Sequence, residues 1–191
     1  MKEEFMKNKF ILLKNVIDPR LLKFIEPYFL YNQIKNPDSF DIQVTTAHSF
    51  YGDPMTETLL LKLNKTVEDA TGLKLFPTYS YYRNYRKGDI LHPHIDRPAC
   101  EISATLCLGY SYSDLEYSWP IFVNGIGYDL KPGDMAIYRG LECPHWRNKF
   151  DPPGSNDYQI QTFLHYVDAN GPHAEWIYDK RIGIGHVKKH I

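Results

Sequence analysis

No stretch of this chain approaches the ~18 consecutive apolar residues that a membrane-spanning helix requires. The N-terminal run Phe10-Ile11-Leu12-Leu13 is broken by Lys14 and has no small-residue cleavage site after it. Neither a membrane span nor secretion is expected. Excess charge is also absent, with 22 Lys and Arg against 23 Asp and Glu and a formal net charge of −1. No global field therefore draws the protein onto nucleic acid or an acidic membrane. Lys188-Lys189 is too short for a polybasic signal and reads as a solvated tail. Cysteine is scarce: Cys100, Cys107 and Cys143 form no paired framework and no CxxC. That excludes a disulfide scaffold and points to a reducing compartment, with the cytoplasm as the expected location. Internal repeats, low-complexity tracts and linkers are missing, so 191 residues are read as one domain, 1–191. A chain of this size hides roughly 70% of its unfolded surface, enough for a real core.

What the chain does have is aromatic character. Phe, Trp and Tyr make up 15% of the residues, with 15 Tyr, a composition that suits pleated, half-buried strands. The first part, about 1–72, reads as helical support. Asp18-Pro19-Arg20 resembles a helix cap with proline at the first position, and Leu21, Leu22, Phe24, Ile25 and Phe29 follow at helical spacing. A second helix is expected from about Met55 to Ala70, with Gly72 as its stop.

From Leu73 the period changes. Strands are expected at 78–86, 102–110, 120–123, 127–130, 135–139 and 158–167, separated by Gly, Pro and Asp turns. Asn124-Gly125 is a strong hairpin signal, and Pro132-Gly133-Asp134 a turn into the next strand. The fold class is mainly β (α+β): a jelly-roll core over about 73–168, N-terminal helices packed on one face, and a C-terminal extension over 169–191.

The chemistry concentrates in Leu91-His92-Pro93-His94-Ile95-Asp96. On a strand, residues two apart point the same way, so His94 and Asp96 present an imidazole and a carboxylate together. A third ligand is expected from a distant strand, and His145 follows the Pro-Gly-Asp turn and strand 135–139. Two imidazoles and one carboxylate on one face leave positions open around iron(II), an arrangement suited to binding a co-substrate together with O2.

Tyr85-x-x-Gly88, then His94-x-Asp96, then Gly133-Asp134, and His145 49 residues after Asp96, resemble the 2-oxoglutarate/iron(II) dioxygenase superfamily, in particular its prolyl-hydroxylase-like branch. The match covers about residues 78–168. The resemblance implies a double-stranded β-helix, Fe(II) held by His94, Asp96 and His145 as the catalytic centre, 2-oxoglutarate as co-substrate, and O2. It implies hydroxylation of a peptidyl side chain such as proline, an amino acid or a small metabolite, with release of succinate and CO2. Relatives usually place a basic residue for the distal carboxylate of 2-oxoglutarate some nine or more residues after the distal His. Here Pro152–Gln161 contains no basic residue, and Gln159 or Gln161 falls in that place. Arg147, two residues past His145 and so on its strand face, is the substitute, with Arg83 second and Tyr85 as a hydroxyl partner.

Other residues bear on the pocket. Arg97 and Glu101 either line its mouth or pair with each other. Trp119 and Trp146 either wall it or fill core, and His165 reads as a hydrogen-bonded structural histidine. His48, His173, His186 and His190 lie outside the pattern. Specificity is expected in loops 96–101, 111–119 and 150–157. An alternative reading is a cupin-type metal site of His92, His94, Glu101 and His145, serving a 2-oxoglutarate-independent enzyme or a binding module. The partner in either case is a small molecule or peptide; no nucleic acid is expected, and the sequence specifies no oligomer.

Overall fold

The computed structural model describes residues 1–186; Lys188-Lys189 and His190 lie outside the described residues. Two antiparallel sheets make the core. In chain order the elements are helix α1 (Lys2–Asn8), β1 (Phe10–Leu13), α2 (Pro19–Lys35), β2 (His48–Tyr51), α3 (Pro54–Thr71), β3 (Leu75–Arg86) and β4 (Leu91–His94). There follow β5 (Ile102–Ser111), β6 (Ile121–Val123), β7 (Ile126–Tyr128), β8 (Met135–Arg139), β9 (His145–Arg147) and β10 (Tyr158–Asp168). The larger sheet runs β1-β8-β5-β10-β3-β2 and the smaller β4-β9-β6-β7. This is the expected jelly-roll.

The two long helices form where their caps dictate. Asp18 accepts the Arg20 backbone N–H at 2.8 Å, and Asp53 accepts that of Met55 at 2.9 Å; each such cap is worth about 1 kcal/mol. Gly72 ends α3 in the left-handed conformation, φ 74°, with its N–H on Glu68 O. The apolar faces of both helices, with Leu22, Ile25, Phe29, Leu60 and Val67, close over one face of the larger sheet against Leu106, Ile137, Ile160 and Leu164.

Alternation along the sheet then sends the intervening residues the other way, toward the smaller sheet. On β3 these are Tyr79, Tyr81, Arg83 and Tyr85; on β10 they are Gln159, Gln161, Phe163 and His165. The inward face of the barrel is therefore unusually polar, and it holds the site.

The first 72 residues are not purely helical. β1 pairs with β8 (Ile11 opposite Ile137) and β2 with β3 (Phe50 opposite Tyr82), so both edges of the larger sheet come from the N-terminal part. A four-residue strand is too short to show a period of two beside long helices. Asn124 and Gly125 carry φ of 51° and 85°, as a tight two-residue hairpin requires. Asp134 serves its turn: its carboxylate accepts Lys14 Nζ at 2.8 Å and the Lys131 N–H at 3.0 Å. No helix among the described residues is long and apolar enough to cross a membrane.

Candidate metal centre

The approach to the site is a braced turn. Gly88 takes φ 102°, its N–H bonds Phe150 O at 2.7 Å, and Phe150 N–H returns to Asp89 O at 2.8 Å. From this turn β4 runs antiparallel to β9, with His94 opposite His145 and Leu91 opposite Arg147, and an irregularity between the two pairs. His94 ends its strand, so Asp96 lies just beyond it rather than on it. The alternation persists through exposed Ile95, and the Asp96 N–H is fixed on Gly140 O at 2.9 Å.

Asp96 Oδ1 lies 3.7 Å from His145 Nε2 and 3.9 Å from His94 Nε2. Among the described residues, His94, Asp96 and His145 are the group whose ligand atoms all fall within 4.8 Å of one another. An ion about 2.1 Å from each donor spaces neighbouring donors about 3 Å apart, so small side-chain adjustments suffice for all three to share one. Both histidines are set for it. His94 Nδ1 lies 2.8 Å from His92 O and His145 Nδ1 lies 3.0 Å from Cys143 O. A carbonyl only accepts, so each Nδ1 carries the hydrogen and each Nε2 offers a bare lone pair.

The electrostatics agree. Burial pushes the His145 imidazole down to about 4 and the Asp96 carboxyl up to about 6, and burial together with neighbouring His145 lowers His94. Neutral imidazoles around a desolvated carboxylate are a donor set that a divalent cation completes.

Two features of the packing hold Asp96. Ser103 Oγ donates to Asp96 Oδ2 at 2.6 Å, leaving Oδ1 for the imidazoles. Gly140 makes room: a Cβ there would lie 2.5 Å from Asp96 Oδ2 and 2.2 Å from Cys100 O.

A cavity of about 240 Å³ opens beside the triad, lined further by Asp41, Arg83, Leu91, Phe163 and His165. Arg83 is 5% exposed and already neutralised. Its Nε and Nη2 donate to Asp41 Oδ2 at 3.1 and 2.7 Å, and its Nη1 donates to the Tyr85 hydroxyl at 3.3 Å. Tyr81 also donates to Asp41. Asp41 belongs to the segment between α2 and β2, whose Ile42 is fully exposed at the mouth.

Arg147 differs from Arg83. It is 1% exposed, with Nη1 donating to Trp119 O at 2.6 Å and Nη2 to Gln161 Oε1 at 3.2 Å. Its guanidinium lies 4.6 Å from the centre of the Trp119 ring, and its Nε has no partner. The ionisable groups acting on it are Tyr85, Cys107, Tyr112 and Tyr138, and burial lowers its pKa. No ion pair joins it to a carboxylate among the described residues. Gln159 donates to Gln161 at 2.9 Å and accepts from Tyr112, so Arg147 ends a buried polar chain.

The structure thus brings His94, Asp96 and His145 together, sets Arg83 in the cavity wall with Tyr85 behind it, and buries Arg147 and Gln159 in the barrel interior. It does not assemble the cupin set. His92 is exposed, and Glu101 accepts the Asp168 N–H at 2.9 Å. Arg97 pairs with Asp179 at 2.7 and 3.0 Å, not with Glu101. Trp119 covers Arg147, whereas Trp146 stacks on Phe122. His165 is the hydrogen-bonded histidine expected, its Nδ1 on Ser103 Oγ. Asp41, Ser103 and Gly140 carry no sequence signal as site residues: nothing local marks a loop carboxylate, a strand serine or a glycine as facing the triad.

No family model matches the chain, and no curated protein matches it. Solved structures do. A prolyl-4-hydroxylase from Pseudomonas putida superposes with a TM-score of 0.61 at 13% identity, over 85% of this chain and 95% of that one. EctD from S. alaskensis, solved with 2-oxoglutarate and 5-hydroxyectoine, gives 0.67 at 13% identity, over 94% and 82%. HygX from Streptomyces hygroscopicus, solved with nickel and 2-oxoglutarate, gives 0.63 at 13%, over 88% and 86%. The fold is that of the 2-oxoglutarate oxygenases.

Proposed function

We propose that the chain is an iron(II)- and 2-oxoglutarate-dependent hydroxylase acting on a small molecule or a peptidyl side chain such as proline. The observation that carries this reading is Arg147. A metal triad alone suits many chemistries. A buried guanidinium without a carboxylate, two residues beyond a ligand histidine, adds a site for a second negative charge. Desolvating a cation without a counter-ion costs several kcal/mol, and an incoming carboxylate recovers that cost. Arg147 stands behind the cavity lining, across the strand pair from Leu91, which does line it; a dicarboxylate whose keto-acid end chelates the metal and whose far end passes Leu91 to Arg147 would satisfy both sites.

Bound iron(II) supplies the oxidation, in which O2 and 2-oxoglutarate give succinate and CO2 while one oxygen atom enters a substrate C–H bond. The chain's own residues bind and orient. His94 Nε2, His145 Nε2 and Asp96 Oδ1 hold the metal. Arg147, backed by Trp119 and Gln161, receives the distal carboxylate, while Gln159 and Tyr112 continue the hydrogen-bond chain behind Gln161. Arg83 and Asp41, mutually neutralised, shape the side of the cavity, and Leu91 and Phe163 keep it apolar. A space of about 240 Å³ admits a small molecule or one side chain, not a folded surface.

The test is conversion of 2-oxoglutarate to succinate by the iron(II)-loaded protein in air, followed by NMR with and without free amino acids and proline-containing peptides. Turnover in the wild type and none in His145→Ala supports the reading. Iron binding with no consumption of 2-oxoglutarate under any of these conditions contradicts it.

A further inference from the structure

His165 and Ser103, 62 residues apart, meet behind Asp96. Ser103 Oγ lies 2.6 Å from Asp96 Oδ2, 3.0 Å from His165 Nδ1 and 3.2 Å from Cys100 O. The hydroxyl has one hydrogen and three neighbours. The carboxylate and the carbonyl can only accept, and the shorter contact to the charged acceptor takes the hydrogen. His165 Nδ1 must then be the donor to Ser103. That assigns the tautomer of a buried ring without reference to any metal: hydrogen on Nδ1, bare lone pair on Nε2.

The rest of the surroundings fix the ring. It lies against Tyr79 with centroids 4.5 Å apart, and His165 lines the same cavity as the triad. Burial drives its pKa down to about 3, so the ring is neutral over the physiological range. Its Nε2 has no hydrogen-bond partner among the described residues, and His165 is not within ligand distance of the whole triad. It is therefore not read as a fourth ligand.

We infer that His165 and Ser103 are positioning residues, a two-step hydrogen-bond relay that turns Asp96 Oδ1 toward the metal and leaves His165 Nε2 as a neutral acceptor in the cavity wall. The physical logic is orientation. Without the relay only packing against Gly140 restrains the Asp96 carboxylate about its last bond, and its two oxygens compete for the ligand position. With Oδ2 held, a single oxygen is presented. This inference rests on the proposed metal site but not on the identity of the co-substrate.

The test uses the full chain with Co(II) or Zn(II) alone as probe. An asparagine at this position keeps a donor near the place of Nδ1, whereas leucine has the same size and no donor. Metal dissociation constants from chelator competition are expected to rise about 10–100-fold in Ser103→Ala and His165→Leu, and to stay within about threefold of wild type in His165→Asn. The Co(II) visible spectrum should shift in the first two and be restored in the third. Equal losses in His165→Leu and His165→Asn, or none in either, overturn the relay. Should His165→Leu fail to fold, ¹⁵N NMR of histidine-labelled wild type decides between pH 6 and 8. A protonated Nδ1 with an unprotonated Nε2 on His165 supports the relay, and the opposite tautomer or a doubly protonated ring overturns it. The NMR result stands even if the protein holds no 2-oxoglutarate, so failure of the relay and failure of the functional reading are separable.

Discussion

Arg147 and Gln161 meet at 3.2 Å inside the barrel, cation against neutral amide, and both are buried. An arginine in that position without a carboxylate is electrostatically incomplete, and its proposed completion is the far carboxylate of 2-oxoglutarate. Replacing it with methionine keeps the bulk and removes the charge. Arg147→Met should weaken 2-oxoglutarate by roughly 2–5 kcal/mol, 30-fold or more, with metal affinity within about threefold. Wild-type Tm should rise on adding 2-oxoglutarate to the metal-loaded protein, and that of the variant should not. Arg83→Met provides the contrast. Because Arg83 is already paired with Asp41, its loss should destabilise by about 1–3 kcal/mol through the orphaned carboxylate while changing the 2-oxoglutarate requirement far less. Equal effects of the two substitutions would remove the special role of Arg147.

His92 is exposed and His94 is turned toward Asp96 and His145, although both belong to one short strand. His92→Ala should therefore leave Co(II) affinity unchanged within about twofold, and Glu101→Gln likewise, measured by chelator competition. A tenfold loss in either would revive the cupin arrangement.

Gly140 is the residue against which Asp96 packs. Since a methyl group there overlaps Asp96 Oδ2 and Cys100 O, Gly140→Ala must displace the ligand loop. Metal affinity is expected to fall about 10–100-fold and Tm to drop, as seen by competition titration and thermal unfolding. An unperturbed Co(II) site would show that the loop relaxes without cost.

The pH dependence has a definite sign. The Asp96 carboxyl is raised from 3.8 to about 6 and must lose its proton to ligate; His145 is lowered from 6.5 to about 4 and is already neutral there. Metal affinity should be flat above about pH 6 to 6.5 and fall tenfold per pH unit below it. Stability of the metal-free fold follows the opposite signs of the groups. The raised pKa of Asp96 adds stability as pH falls from about 6 toward 3.8. The lowered pKa values of His94, His145 and His165 remove it as pH falls below 6.5. With His48 also lowered and Asp89 also raised, four histidines act against two carboxyls, and a net loss on acidification is expected, measurable as a falling Tm between pH 6.5 and 4.

Much of the fold was legible because its signals are local. Asp18-Pro19 marks the start of α2 and Gly72 the end of α3, Asn124-Gly125 turns a hairpin, and the long strands β3 and β10 carry a period of two over ten residues or more. His94, Asp96 and His145 were legible because the first two are two residues apart at the end of β4 and the third follows a marked turn. β1 and β2 escaped because four residues show no period and their pairing is long-range. Asp41 and Ser103 escaped for the same reason: each acquires its role only when the barrel closes. His165 was legible as a hydrogen-bonded histidine, but not its partner Ser103. Arg147 stands out in the sequence through an absence, the lack of any basic residue over 152–161. Its burial and its missing counter-ion were not legible, since these depend on Trp119 and Gln161 folding over it.

The central claim is that one metal and one dicarboxylate bind here together. Anaerobic titration of 2-oxoglutarate into the iron(II)-loaded protein tests it directly through the weak visible charge-transfer band of a chelated keto acid. A saturable band is expected in wild type, no band in Asp96→Ala, and a band requiring far more 2-oxoglutarate in Arg147→Met. Iron bound by the wild-type protein with no band at any concentration would contradict it.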